Sequence, residues 1–177
     1  MDQKEILEEE IEDIDSVQDD TQDEESSFGY DITSYGADYT TEVIVNKMKR
    51  GDIFVPLFQR QYVWSITQAS RFIESLLLGL PVPGIFLSKQ GDSEKLMIID
   101  GQQRVKTLEF FYDKLFHGKK FVLKNVQPQF RDKTYDDLTD DERRRLDGSI
   151  IHATIVKQDR PSDDQSSIYY IFERLNT

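Results

Sequence analysis

The residues best suited to chemistry fall in two short clusters, Asp100-Gly-Gln-Gln-Arg104 and Gln59-Arg60-Gln-Tyr-Val-Trp64. An arginine can grip a phosphate through two parallel hydrogen bonds. A carboxylate such as Asp100 can hold a magnesium ion or position a water. Gly101 lets the backbone approach a ligand closely, and Gln102 and Gln103 can orient a phosphate or a water. Binding of a phosphate or other anion is therefore the chemistry that Asp100, Gly101 and Arg104 fit. The plainer alternative makes Asp100-Gly101 a turn and Arg104 a surface cation.

The flanking pattern says what must position these groups. Leu96–Ile99 is a short apolar run with strand character, and Asp100-Gly101 forms a tight turn. Val105, Leu108, Phe111 and Tyr112 then recur at helical spacing, predicting a helix over 102–112. A helix start presents free N–H groups and the positive end of a dipole, which suits an anion. Upstream, Asp52–Pro56 reads as a strand leading into Gln59 and Arg60. A helix follows, capped by Ser65 or Thr67, with a core-facing stripe of Phe72, Ile73, Leu76 and Leu77. Both clusters thus occupy a strand-to-helix turn. Two such turns side by side would build one pocket, with an arginine from each. For Trp64, core packing is the better reading.

Gly79 ends the second helix, Pro81 and Pro83 stiffen the turn, and Ile85–Leu87 forms a strand that returns through a hairpin to Leu96. Order is expected to begin between Phe28 and Tyr39. Thr40 or Thr41 caps a helix that Gly51 ends. Lys114, His117, Lys119, Lys120, Lys124, Arg131 and Lys133 form a basic stretch that reads as a solvated face, with nucleic-acid contact as the alternative. Thr139-Asp-Asp-Glu142 is a capping box, so Asp140, Asp141 and Glu142 are helix starters and not a metal site. His152–Val156 alternates as a strand, and Asp159–Asp164 reads as a polar loop. Ile168, Ile171, Phe172 and Leu175 fall at the spacing of an amphipathic helix.

Composition sets the outer bounds. The 177 residues leave room for one domain and a tail. The formal net charge of −12 is confined to residues 1–27, which hold 13 of the 34 acidic residues and one of the 22 basic ones. Residues 1–27 are expected to remain a disordered acidic tail, and residues 28–177 to form a domain with no net charge. The absence of cysteine excludes disulfides and thiol catalysis, and with two histidines a closed zinc site is not expected. There is no apolar run of membrane-spanning length and no signal-peptide pattern, so a soluble, cytoplasmic protein without a membrane partner is expected.

Four motifs occur in order: Phe58-Gln-Arg-Gln-Tyr-Val-Trp64, Ile73-Glu-Ser-Leu-Leu-Leu-Gly-Leu-Pro-Val-Pro83, Asp100-Gly-Gln-Gln-Arg104 and Ile171-Phe-Glu-Arg-Leu-Asn-Thr177. With them the chain, over about residues 38–177, resembles the N-terminal domain of GmrSD-type modification-dependent restriction enzymes. The resemblance implies an α+β domain of ParB/sulfiredoxin-like fold, a small mixed sheet with surrounding helices. It also implies that Asp100, Gly101, Gln102, Gln103 and Arg104 form a nucleotide-hydrolysis motif. By the same analogy a nucleoside triphosphate would lie on the start of the 102–112 helix. Gln59 and Arg60 would close over the phosphates, and the loop with Gly79 and Pro81 would face the base. Sulfiredoxin chemistry itself needs a cysteine and is excluded. Members of the restriction type continue past Asn176-Thr177, often into a nuclease domain. None is visible here, and the domain is expected to be truncated at its C-terminal end, with its last apolar helix prone to self-association.

The function expected is a nucleotide-binding, Mg²⁺-dependent NTPase domain that regulates a restriction or anti-phage defence protein, acting with DNA or a nuclease domain or subunit. In this reading Asp100 holds the metal. The alternatives are a module that binds nucleotide or DNA without turnover, or a remnant whose acidic tail mimics DNA.

Overall fold

The computed structural model of the protein describes residues 31–89, 92–160 and 173–174. Residues 1–27 and, apart from the helical pair 173–174, the amphipathic spacing at 168–175 lie outside them. Of the polar loop expected over Asp159–Asp164, Asp159 and Arg160 instead extend the last strand, and the rest lies outside the described residues. Among the described residues there are seven strands, β1 (Asp31–Thr40), β2 (Ile53–Phe54), β3 (Ile85–Lys89), β4 (Leu96–Asp100), β5 (Leu115–Phe116), β6 (Lys119–Lys120) and β7 (Ile150–Arg160), and four full helices. The helices are α1 (Thr41–Arg50), α2 (Ile66–Leu77), α3 (Gln102–Tyr112) and α4 (Asp140–Gly148). The protein is mixed α+β, as the sequence leads one to expect.

Five strands form one sheet in the order β1-β7-β3-β4-β2, and β5 and β6 form a separate hairpin. The sheet is mixed: β1–β7 and β3–β4 pair antiparallel, β7–β3 and β2–β4 parallel. Leu96, Met97, Ile98 and Ile99 of β4 are all buried, which is why that strand reads as an uninterrupted apolar run. Strand β1 is different. Residues 32–36 are exposed on both faces, so no apolar alternation marks this ten-residue edge strand.

Local chemistry sets the helix ends. Thr40, Ser65 and Thr139 cap α1, α2 and α4 with their hydroxyls, the last two within capping boxes. Gly51 ends α1 at φ 74°. Gly79, at φ 70°, follows α2 and completes a Schellman ending in which Gly79 N–H bonds Leu76 O at 3.0 Å and Leu80 N–H bonds Ser75 O at 2.9 Å. The helices pack on one another and on the sheet around Ile44, Ile73, Leu76, Leu87, Ile98, Leu108 and Phe111. The segment after β6 sends Phe121, Leu123, Val126 and Phe130 into this core. Bases of the 114–133 stretch meet acids at the surface: Lys114 pairs with Asp136 at 2.9 Å, Lys133 with Glu142 at 2.8 Å, and Lys124 with Asp132. That matches the solvated face expected of the basic stretch.

Candidate functional site

Antiparallel pairing of β3 with β4 sets Phe86 opposite Asp100, so the sheet delivers Asp100 beside the start of β3. The chain then turns directly into α3 through Gly101, at φ 93° and ψ 10°. A side chain there is excluded twice. The backbone is left-handed, and a Cβ would lie 2.5 Å from Ile85 Cγ2 and 3.1 Å from Arg104 Nη2. Glycine at this position also leaves α3 without the side-chain cap that the other three helices have. The start of α3 is therefore the one helix start among the described residues that keeps its N–H groups clear of a capping side chain.

The second cluster comes to the same place. Gln59, Arg60, Trp64, Ile99, Asp100, Gly101, Gln102, Gln103 and Arg104 line one open pocket of about 130 Å³. The two strand-to-helix turns do meet, and each brings an arginine. Trp64 has both roles, since its ring packs edge-on to Phe72 at 5.8 Å and also borders the pocket. Trp64 stands in the second cluster but reads as core from sequence, and nothing in the sequence marks Ile99 as a lining residue. Gly79 and Pro81, expected to face a base, do not line this pocket. Gly79 is instead occupied in ending α2, and the loop reaches the site one turn later through the carbonyl of Gly84.

The arginines are in unlike states. Arg104 Nη2 donates to Asp100 Oδ2 at 3.0 Å and to Gly84 O at 2.8 Å, and its Nε is buried without a partner. Its side chain is 16% exposed and that of Asp100 35%. Arg104 thus locks the end of β4, the entry to β3 and the first turn of α3 together, leaving Nη1 for a ligand. Arg60 is exposed, and its guanidinium has no partner among the described residues.

The glutamines face protein. Gln59 donates its amide to Ile98 O and, at 3.1 Å, to Ile99 O. Gln102 Nε2 donates to Arg60 O at 2.9 Å. Gln103 Oε1 accepts from the N–H groups of Val63 at 2.9 Å and Trp64 at 3.2 Å, and Nε2 donates to Gln61 O at 3.4 Å. Tyr62 bonds Thr107 at 2.8 Å. Burial holds its phenol above the ordinary tyrosine value, partly offset by that bond.

Asp100 is the one carboxylate in the lining, and no group of three or more His, Cys, Asp or Glu among the described residues could cage a metal ion. No helix among them is long and apolar enough to cross a membrane.

Fold and site together define a mixed α+β domain with a small polar pocket at two strand-to-helix turns. Residues 41–177 match the model of the GmrSD restriction endonuclease N-terminal domain, and the chain belongs to that family, a module of restriction and defence proteins. Searches of curated proteins and of solved structures gave no match.

Proposed function

We propose that the pocket receives the phosphates of a nucleoside triphosphate with Mg²⁺, and that the domain is a regulatory NTPase of a restriction or defence protein. The observation that carries this is the uncapped start of α3 at the pocket, next to the unpartnered guanidinium of Arg60. N–H groups at a helix start and a free cation both favour an anion. At about 130 Å³ the pocket is well below the roughly 300–1,000 Å³ that encloses a whole small ligand. It suits phosphate groups, with sugar and base over its mouth.

In this reading Arg60, Gly101 N–H and the first N–H groups of α3 hold the phosphates, and Arg104 contributes Nη1. Mg²⁺ fits as an ion carried mainly by the phosphates, with Asp100 supplying one carboxylate oxygen, because such ions commonly take few protein ligands. Bound there, the ion would neutralise charge on the phosphates. Hydrolysis would place a water against the γ-phosphorus. Its oxygen forms the new P–O bond, the bond to the β-phosphate oxygen breaks, and the water's proton passes to an oxygen of the transferred phosphate. Gln102 is the glutamine with the more exposed side chain for contacting that water.

A second reading, a module that binds nucleotide without turnover, is favoured by the Asp100–Arg104 pair, which occupies one oxygen of the only carboxylate in the lining. Calorimetry with ATP, GTP, CTP and UTP in Mg²⁺, run beside phosphate release, separates the two. Binding lost in Arg60→Ala supports the pocket, and phosphate release then distinguishes enzyme from sensor. Absence of binding by every nucleotide would refute both.

A further inference from the structure

We propose that Gln103 is a positioning residue that fixes the Arg60-bearing loop over the pocket and does not act on the reacting atoms. The inference deepens the function proposed above and rests on it for the identity of the ligand. Gln103 is 7% exposed. Its carbonyl oxygen is taken by Val63 and Trp64, and its amide nitrogen by Gln61 O. A primary amide offers both kinds of partner in one group, which is what a loop backbone presenting N–H and C=O groups needs. Both ends of the Gln103 side-chain amide are thus engaged by the loop backbone.

Gln102 and Gln103 read the loop in parallel order. Gln102 reaches residue 60, and Gln103 reaches 61, 63 and 64. All these contacts are to backbone, so the pair sets the loop's path whatever side chains it carries. The far side of the loop is held by the Tyr62 ring, edge-on to Phe110 at 5.0 Å and Phe116 at 5.8 Å and tilted 60° to His117 at 5.6 Å. Between these two supports the exposed guanidinium of Arg60 has no partner among the described residues, and it borders the pocket. The motif then separates into Gly101 and Asp100, which face the ligand, and Gln103, which acts through Arg60.

Two measurements on the full chain test this. The first is hydrogen exchange at the Val63 and Trp64 amides. Gln103→Leu is expected to raise their exchange about tenfold or more, since it removes the shared acceptor. Gln103→Glu keeps both acceptor positions and is expected to retain most of the protection. Unchanged exchange in Gln103→Leu, or equal loss in both variants, would overturn the proposal. The second is Mg²⁺–ATP affinity by calorimetry in wild type, Arg60→Ala, Gln103→Leu and the double variant. Gln103→Leu is expected to weaken binding about tenfold alone and less than twofold in the Arg60→Ala background, because coupled residues are not additive. Equal loss in both backgrounds overturns it. So does unchanged affinity with lost phosphate release, which would make Gln103 catalytic. If wild type binds no ATP, the proposed function fails, and amide exchange alone then decides whether Gln103 holds the loop.

Discussion

Gly101 and Arg104 hold the fold together at the pocket proposed to bind phosphates. At Gly101 two obstacles act together, the left-handed φ of 93° and Ile85 Cγ2 standing 2.5 Å from where a Cβ would lie. Gly101→Ala is expected to lose about 1–3 kcal/mol in urea unfolding, and to displace Arg104, whose Nη2 would stand 3.1 Å from the new carbon. An unchanged unfolding midpoint would mean the turn can relax. Arg104 is expected to matter to stability as well as to the pocket. With Nη2 bonded to Asp100 and Gly84 O, its removal leaves a partly buried carboxylate and a carbonyl without their donor, at a cost of about 1–3 kcal/mol. Arg104→Lys is not expected to recover that stability, because a single ammonium lacks the guanidinium's fixed fork. Arg60→Ala, at an exposed position, is expected to leave the melting temperature unchanged and is the cleaner probe of the pocket.

At the scale of elements, a polar network ties α1, α3 and α4 together away from the pocket. Tyr112 donates to Asp147 Oδ1 at 2.6 Å, Tyr135 donates to it at 3.1 Å, and the Thr41 hydroxyl bonds Leu146 O. Burial, followed by the bond to Asp147, holds the Tyr112 phenol well above the ordinary value of 10.0. Burial and the Asp147 charge push Tyr135 up to about 12. Both groups keep their protons more tightly folded than unfolded, so their stabilisation is complete below pH 10. It falls as pH climbs from there through the folded values. Urea unfolding is expected to weaken between about pH 10 and 12. Tyr112→Phe should cost about 1.5–3 kcal/mol at pH 7, as for a bond to a charged group, and flatten that alkaline slope. A slope that survives the substitution would assign it to other groups.

The elements also show what a sequence can display. Capping hydroxyls at Thr40, Ser65 and Thr139, the stripe Phe72–Leu77 and the apolar run of β4 are local signals, and each marks its element correctly. The meeting of the two polar clusters was legible because both follow strands. The length of β1 was not, since an edge strand exposed on both faces carries no periodicity. Nor was the use of Gln59, Gln102 and Gln103 as braces, because a glutamine bonded to backbone looks in sequence like one aimed at a ligand. Gly79 and Pro81, which do not line this pocket, make a related point, since a helix-ending glycine and a stiff turn say where the chain bends and not what it faces.

For the whole molecule, charge distribution is the property that bears on binding. Residues 1–27 carry a formal charge of −12, while the rest of the chain sums to zero. The pocket proposed to take phosphates therefore shares its chain with a concentrated negative charge. Wherever residues 1–27 sit within a Debye length of Arg60, they oppose the approach of Mg²⁺–ATP, whose own charge has the same sign. That length is about 30 Å at 0.01 M ionic strength and about 8 Å at 0.15 M, so the opposition belongs to low salt. Deleting residues 1–27 is expected to tighten Mg²⁺–ATP binding about threefold near 0.01 M salt, with the difference closing by about 0.15 M. Calorimetry on the full chain and on residues 28–177 across that range checks it. A deletion that weakens binding would instead make the acidic segment part of the site, holding the metal ion or the loop. A gap independent of salt would point to steric contact between residues 1–27 and the pocket.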